Sequence, residues 1–386
     1  MVSEMRLSIR QVHGGTSTER FVALKADANE VLVDAWISFL DEPDLPEPER
    51  LDGALLLVIF RCMERGGRLF VEGPLSKSLV RSIRHFQEAW ARWRPDLYRP
   101  VEIVPDSVAE ISQAPDRAIA AFSGGVDSTF LALQHTSGEL GAAKYPLTDV
   151  MFAHGLDIPS ANTEAFAKAV DRHREFLGSV TLRPRLLRTN VRDFYPSSYE
   201  DAHGALICGL LHQYSHAFGV GLISSSNAYE NLRLTWGSNP VIDPLMGTER
   251  FAIVHDGAGY NRIEKVERVA ADEVATKGLR VCWRDTSYTK NCGVCEKCIL
   301  TQLEFLALGH SDPPCFDRPL DIRLIDTVTP ASLSRLRGYE WVLETSKAFD
   351  GQPWRRALEK RVRKLRNKEA AKNLRASFGR LLRLPG

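Results

Sequence analysis

The sequence predicts an α/β protein with a doubly wound parallel sheet, an N-terminal α/β accessory domain and a cysteine-rich metal knuckle. Two observations carry this prediction. From Arg117 onwards, short apolar strands alternate with amphipathic helices, and polar segments follow the strands. Such alternation is typical of a parallel sheet that helices cover on both faces. Four cysteines then crowd between Cys282 and Cys298, and this spacing favours a bound metal.

The chain of 386 residues is long enough for two or three domains. We set an accessory domain at 1–112, a main domain at 117–310 and a helical extension with a basic tail at 311–386. Hydrophobic residues make up 44% of the chain and charged residues 26%, which is typical of a folded globular protein. The sequence shows neither a signal-peptide pattern nor an apolar run long enough to span a membrane. We therefore expect a cytoplasmic protein.

Residues 1–112 contain strand and helix patterns in turn. Apolar alternation predicts strands in MRLSIRQV, ERFVALKA, GRLFVE and YRPVEIVP, while SKSLVRSIRHFQEAWARW has helical spacing. The run GALLLVIFRCM suits either a buried helix or a buried strand. The polar, proline-containing stretch VPDSVAEISQAPD then predicts a linker.

The main domain begins with the buried strand AIAAF, the turn SGGVDS and the helix VDSTFLALQH. Further strands are predicted in DVMFAHGLD, VTLRPRLLRTN and VGLISSSN, and helices in ANTEAFAKAVDRHREFLG and HGALICGLLHQYSHAFG. Open parallel sheets bind ligands at the carboxyl ends of their strands. The segments SGGVDS, HGLD, TNVRDF and SSSNAYE therefore mark the predicted site.

The turn after AIAAF is the predicted phosphate site, and its candidate residues are Ser123, Gly124, Gly125, Asp127, Ser128 and Thr129. The glycines let the backbone approach a ligand closely, and the first amides of the following helix have no internal partner. The positive end of the helix dipole also favours an anion. The hydroxyl groups are further donors, and Asp127 suits a Mg²⁺ ion between the protein and a phosphate. An ordinary strand-to-helix turn is the alternative.

The complete string SGGVDS after a buried strand resembles the pyrophosphate loop of the PP-loop ATP pyrophosphatase superfamily. This resemblance implies cleavage of ATP between its α- and β-phosphates, so that a substrate oxygen is adenylated and pyrophosphate leaves. It also implies that adenine and ribose lie near the end of the second strand, at His154 and Gly155. The chain contains neither G-x-x-x-x-G-K-[ST] nor G-x-G-x-x-G after the strand, which disfavours kinase and dinucleotide-binding sites.

Polar residues are dense between the last predicted strand and the cysteines, in a segment that the sequence predicts as a long loop. We rank Asp256, Arg262 and Lys265 first among them as catalytic or substrate-binding groups. Arg262 and Lys265 would neutralise a carboxylate or a phosphate, and Asp256 would steer a proton or a metal. A surface salt bridge is the alternative for each residue.

The cysteine cluster comprises Cys282, Cys292, Cys295 and Cys298, with the spacing C-x9-C-x2-C-x2-C. The two short steps direct three thiolates at one point, and a fourth comes from the preceding strand. Four sulfur ligands suit a closed, tetrahedral Zn²⁺ site with a structural role. An iron–sulfur cluster is the rival, because cysteines with x2 spacing also bind it.

The pairing of SGGVDS with this cysteine pattern resembles the 7-cyano-7-deazaguanine synthase family between about Arg117 and Gly309. The resemblance implies that ATP activates a carboxylate, which ammonia then converts through an amide. Residues 1–112 and 311–386 lie outside it, and the middle segment lacks a short Tyr-Pro-Asp-type signature expected of that family. The substrate therefore stays open between a small-molecule and a protein-borne carboxylate, with ammonia or an amine as nucleophile.

Two other functions stay open. A tRNA thiolation ligase would adenylate a base and use the cysteines for sulfur transfer, and a nucleotide-sensing scaffold subunit would bind ATP without turnover. From Gly351 to Gly386 the chain carries twelve Lys and Arg against two Asp and Glu, a net charge of +10, on an amphipathic helix pattern. RNA or an acidic protein would be attracted to this tail, and a homodimer is a further open assembly.

Overall fold

The computed structural model describes residues 3–109, 113–282, 290–330 and 332–381. Two compact units, Met1–Asn261 and Arg262–Gly386, divide the chain. Residues 110–112 of the predicted linker and residues 382–386 of the predicted basic tail lie outside the described residues. Within the described ranges, no helix is long and apolar enough to cross a membrane.

The described part of the first unit contains ten strands in one sheet. In chain order they are β1 (Glu4–Gly14), β2 (Ser17–Lys25), β3 (Val31–Leu40), β4 (Gly67–Ser76), β5 (Val101–Ala109), β6 (Ala118–Ala121), β7 (Leu147–His154), β8 (Arg183–Thr189), β9 (Val220–Ser224) and β10 (Ala252–Asp256). Their spatial order is β10-β9-β6-β7-β8-β3-β2-β1-β4-β5.

Helices connect these strands and form the second unit. The first unit contains α1 (Asp52–Arg65), α2 (Lys77–Trp93), α3 (Val126–Thr136), α4 (Thr163–Ser179) and α5 (Tyr199–Leu211). The described part of the second unit contains α6 (Arg262–Ala270), α7 (Glu273–Gly278), α8 (Glu296–Ala307), α9 (Leu333–Thr345) and α10 (Pro353–Leu381).

The sheet is mixed, with mostly parallel pairs. Among the five strands from β10 to β8, every adjacent pair is parallel. Antiparallel pairing joins β1 to β2, β2 to β3 and β3 to β8, while β1, β4 and β5 pair in parallel. The prediction of an α/β protein is confirmed at this level, and the parallel half is compatible with a doubly wound sheet.

The predicted accessory segment and the predicted main segment share this sheet. β3 pairs with β8, so that Ile37 lies opposite Thr189. The sheet therefore includes strands from both sides of residue 112, and the compact units divide after Asn261, while the predicted domain bounds stay predictions. Independent folding of residues 1–112 stays a prediction.

Two strands are missing from the prediction. The sequence of β3, VLVDAWISFL, buries Val33, Ala35 and Ile37 completely, and its alternation would have identified it. β10 lies in the segment predicted as a long loop, and that prediction is wrong for Ala252–Asp256. Its backbone pairs with β9 and Ile253 packs in the core, so a short apolar sequence between polar flanks still adds a strand.

The ambiguous run GALLLVIFRCM forms the buried helix α1. The ring of Phe60 on this helix packs edge-on against Trp90 at 5.0 Å and Tyr98 at 5.1 Å between ring centroids. α1 also packs against α5 on the face of the sheet. This apolar layer fixes α5, which leads into β9 beside the predicted phosphate turn.

Candidate functional site

The phosphate turn lies at a reversal of strand order. Along the parallel half, β7 and β8 follow β6 on one side, while β9 and β10 lie on its other side. The chain therefore leaves β6 and β9 in opposite directions, and this kind of switch point is where open α/β sheets bind ligands. The turn at residues 122–125 follows β6, and the segment SSSNAYE follows β9.

The turn itself is held by its own hydroxyl groups. The amide of Ser123 donates to Oγ of Ser128 at 3.3 Å, and Oγ of Ser128 donates to the carbonyl of Gly125 at 3.2 Å. Gly124 has φ +72°, a left-handed conformation that favours glycine. The backbone of the turn is therefore fixed before any ligand binds.

The start of α3 offers donors to an anion. Gly125 is the N-cap residue and, being a glycine, has no side chain with which to cap the helix. Asp127 is partly exposed in the first turn, beside the exposed Ser123. Oγ1 of Thr129, in the first turn of α3, is buried and has no hydrogen-bond partner among the described residues. Its hydroxyl group is therefore a possible donor to a ligand. These features fit a phosphate group and a divalent cation.

His154, at the end of β7, is buried and already has partners within the protein. The ring of His154 donates from Nε2 to the carbonyl of Pro159 at 2.8 Å and stacks on Phe166 at 4.5 Å. Burial lowers the pKa of His154. The amide of Gly155 donates to the carbonyl of Ile158 at 2.9 Å. Both residues shape the bend after β7, and their contact with adenine stays a prediction.

Asp256 ends β10 and is bound to the helix of the phosphate turn. Its Oδ2 accepts from Nε2 of His135 on α3 at 2.6 Å, and its Oδ1 accepts from the amide of Gly257 at 2.8 Å. Nδ1 of His135 accepts from the amide of Tyr145, which places the ring proton on Nε2. Burial raises the pKa of Asp256, but the hydrogen bonds that its carboxylate accepts from His135 and from the amide of Gly257 help to outweigh burial, and the pKa is lowered.

Arg262 and Lys265 belong to the second unit, whereas Asp256 belongs to the first. Nε of Arg262 lies 3.1 Å from Oε1 of the buried Glu304, and its Nη2 donates to Thr301 at 3.1 Å. Lys265 is buried on α6. Arg262 is thus paired within the second unit and Lys265 is buried there. Their catalytic roles stay predictions.

The four cysteines of the predicted knuckle come together in the second unit. Their sulfur atoms all lie within 4.8 Å of one another. Sγ of Cys282 lies 3.9 Å from Sγ of Cys295, and Sγ of Cys292 lies 3.8 Å from Sγ of Cys298. A tetrahedral zinc with Zn–S bonds of about 2.3 Å would separate its sulfurs by about 3.8 Å. The cluster therefore fits zinc.

Backbone contacts prepare the cluster for a cation. Cys295 caps α8, and its amide donates to the sulfur of Cys292 at 3.3 Å. The side chain of Cys298 donates to Cys295 and lowers the pKa of Cys295 to about 5, against the opposing effect of burial. A thiolate is the metal-binding form of cysteine.

The sequence analysis did not identify the polar residues that support the cysteine cluster and the phosphate turn. Oδ1 of Asn291 accepts from the amide of Cys282 at 3.1 Å, and Nε2 of Gln302 donates to the carbonyl of Gly293 at 3.1 Å. The imidazole of His173 on α4 lies directly under Gly124. The adjacency of Asn291 to the cysteine pattern was a usable signal, but nothing in the helix around His173 distinguishes it.

The basic tail forms α10, and its apolar stripe is buried in the second unit. Trp354, Leu358 and Val362 are at most 8% exposed. The guanidinium of Arg366 makes an ion pair with Glu340 on α9. The opposite face exposes the cationic residues Arg356, Lys360, Arg363, Lys364 and Lys368. The tail is thus both a packed helix and a charged surface.

The chain resembles the 7-cyano-7-deazaguanine synthase of Rhizorhabdus wittichii, with 25% identity over 226 residues. The match covers 52% of this chain and 95% of that protein. Roughly half of this chain therefore has no counterpart in the relative. No family model matches the chain. No solved structure matches it significantly.

Proposed function

We propose that the protein is an ATP-dependent adenylating enzyme of the PP-loop class, which converts ATP to AMP and pyrophosphate. The observation that carries this proposal is the SGGVDS turn at the strand-order reversal beside β6. A glycine turn with a left-handed φ, a helix start whose N-cap residue is a glycine, and a buried hydroxyl with no hydrogen-bond partner among the described residues lie together there. The similarity to a synthase named for a nitrile-bearing deazaguanine supports the same assignment.

In this proposal the turn residues bind the pyrophosphate portion of ATP. The amides at the start of α3 and the hydroxyls of Ser123 and Thr129 donate to phosphate oxygens, while Ser128, whose hydroxyl donates to the carbonyl of Gly125, holds the turn. Mg²⁺ would neutralise phosphate charge and assist departure of pyrophosphate. Asp127 holds that cation, because a carboxylate next to phosphate needs a metal between them. His154 and Gly155 line the adenosine end.

The acceptor is a carboxylate, small or protein-borne, and the nucleophile is ammonia or an amine. Adenylation converts a carboxylate oxygen into part of a leaving group, so that nitrogen can attack the carbonyl carbon. Asp256 of the first unit stays the candidate proton-handling group, and Arg262 and Lys265 of the second unit stay candidate carboxylate-binding cations.

The cysteine cluster has a structural role in this proposal. A bound Zn²⁺ would tie the chain around Cys282 to the start of α8, and would leave no ligand position for sulfur transfer. This closed geometry favours carbon–nitrogen bond formation over the tRNA thiolation alternative. A scaffold that binds nucleotide without turnover is disfavoured by the intact SGGVDS turn.

Isotope exchange between ATP and labelled pyrophosphate tests the proposal without knowledge of the nucleophile. The full-length protein is incubated with MgATP, labelled pyrophosphate and a panel of carboxylic acids, or a small-molecule extract of cells. We expect label to enter ATP only when an adenylated acceptor forms. Release of ADP and inorganic phosphate under the same conditions would contradict the assignment.

A further inference from the structure

A buried histidine occupies the space beside the phosphate turn. A Cβ atom added to Gly124 would lie 1.9 Å from Nε2 of His173, so the imidazole fills the volume that a side chain at 124 would need. His173 is on α4 and is 1% exposed. The glycine is therefore required by the histidine as well as by its φ of +72°.

Aromatic neighbours and hydrogen bonds fix the orientation of this ring. The centroid of His173 lies 5.4 Å from that of Phe122 and 5.9 Å from that of Phe152. Nδ1 lies 2.7 Å from the carbonyl oxygen of Ala169, and Nε2 lies 3.4 Å from the carbonyl oxygen of Gly124. Both oxygens only accept, so a ring nitrogen that bonds either of them must carry a proton.

The carbonyl of Gly124 and the amide of Gly125 are parts of one peptide plane. A donor at the carbonyl therefore sets the direction of the Gly125 N–H, because the peptide unit is rigid. It also polarises the unit and makes that N–H a stronger donor. The amide of Gly125 donates to Oγ of Ser123 over a long distance of 3.4 Å. This bond is weak, so the amide can donate to a ligand in its place.

We propose that His173 is a positioning residue for pyrophosphate, acting through the Gly124–Gly125 peptide. This inference rests on the proposed function, since it assigns a helper to the same turn. The ring does not touch the ligand. It aims and strengthens one backbone donor, and its loss would weaken binding of pyrophosphate and ATP without removing the turn.

Two substitutions separate this role from simple packing. In His173→Gln, the amide nitrogen replaces Nε2 and still reaches the carbonyl of Gly124. In His173→Asn, the amide nitrogen replaces Nδ1, keeps the bond to Ala169 and loses the bond to Gly124. Both variants remove the aromatic ring, so effects of packing alone should be similar in the two.

The experiment is calorimetric titration of full-length wild type, His173→Gln and His173→Asn with magnesium pyrophosphate, alongside thermal unfolding of each. We expect the Kd of His173→Asn to rise about three- to tenfold, the usual effect of one hydrogen bond, and that of His173→Gln to stay near wild type. Both variants should unfold at similar temperatures.

Equal affinities of the two variants would overturn the inference while leaving the proposed function intact. Loss of affinity in proportion to loss of thermal stability would also overturn it, because packing would then explain the effect. Failure of the folded wild type to bind magnesium pyrophosphate would contradict the pyrophosphate site itself, and with it both proposals.

Discussion

The Nε2 atom of His135 lies 2.6 Å from Oδ2 of Asp256, and this hydrogen bond joins α3 to the end of β10. The two residues are 121 positions apart in the chain. The helix that begins at the phosphate turn is therefore tied at its far end to the edge strand of the sheet. Since α3 presents the amides of the proposed site, this contact supports the site from a distance.

We expect Asp256→Asn to lower the free energy of unfolding at about pH 7 by about 1.5 kcal/mol, the value of a hydrogen bond to a charged group. Because the folded pKa of Asp256 is lowered, its contribution is complete above the unfolded pKa of about 3.9 and is lost as the pH falls through the folded pKa. Urea unfolding at several pH values should show the difference from wild type shrinking below about pH 4.

Asp171→Asn is the matched control for this prediction. Asp171 makes an exposed pair with Arg174 on α4, and both side chains are more than 70% exposed. Exposed pairs contribute little, so this variant should match wild type at every pH. A pH-independent effect of Asp256→Asn would show that the carboxylate charge does not contribute.

We expect about one zinc ion per chain, with Cys295→Ser losing the metal and lowering the stability of residues 262–386. The four sulfurs lie close enough together for one tetrahedral zinc, and loss of one ligand weakens a structural site. Metal content by plasma mass spectrometry and thermal unfolding are the measurements. Iron with labile sulfide in protein purified without oxygen would instead favour the thiolation alternative.

Cys315→Ser is the matched control for the metal site. Cys315 is buried in the same unit but lies outside the four-sulfur cluster. Its substitution should leave the zinc content unchanged, even if packing is slightly weakened. Equal zinc loss in both variants would indicate general unfolding rather than loss of a ligand.

We expect truncation after Gly351 to destabilise the second unit, because it removes the buried side chains of Trp354, Leu358 and Val362. The triple substitution of Lys360, Arg363 and Lys364 by glutamine should leave the fold intact, since these side chains are exposed. Thermal unfolding of the two proteins checks both expectations. A stable truncated protein would show that α10 is dispensable for packing.

The same triple variant tests RNA, one of the two partners that the sequence leaves open for the basic tail. Binding of single-stranded RNA should be weaker in the variant at about 50 mM salt, and the difference should shrink at about 200 mM. Lys168→Gln, an exposed substitution on α4, is the control. Unchanged RNA binding by the triple variant would exclude this face as an RNA contact and leave an acidic protein as the candidate partner.

Local signals in the sequence predicted the phosphate turn and the cysteine knuckle, because spacing along the chain determines both. Gly124 follows a buried strand directly, and the four cysteines span few residues. The supporting contacts could not be predicted in this way. His173 meets Gly124 across 49 positions, and the contact depends on how α4 packs beneath the turn.

The missed strands show the same limit. β10 is short, and its pairing with β9 depends on a neighbour rather than on its own pattern. β3 alternates clearly, but its role as the link to β8 follows from the tertiary arrangement. Local polarity near residue 112 predicts a domain boundary, which stays a prediction, and the sheet includes strands from both sides of this point.

In the proposed mechanism, Asp127 supports pyrophosphate departure by holding Mg²⁺. We expect Asp127→Ala to lower turnover about a hundredfold, as loss of an electrostatic group in a site does, and to unfold close to wild type. Asp116→Ala, an exposed change before β6, should retain activity. These variants are compared with a substrate identified by isotope exchange.

Phosphorus NMR of the products formed from MgATP and that substrate is the most direct test of the proposed conversion of ATP to AMP and pyrophosphate. Wild-type protein should yield AMP and pyrophosphate in equal amounts, and Asp127→Ala should yield almost none. ADP and inorganic phosphate as the products, or full turnover by Asp127→Ala, would contradict the proposed chemistry.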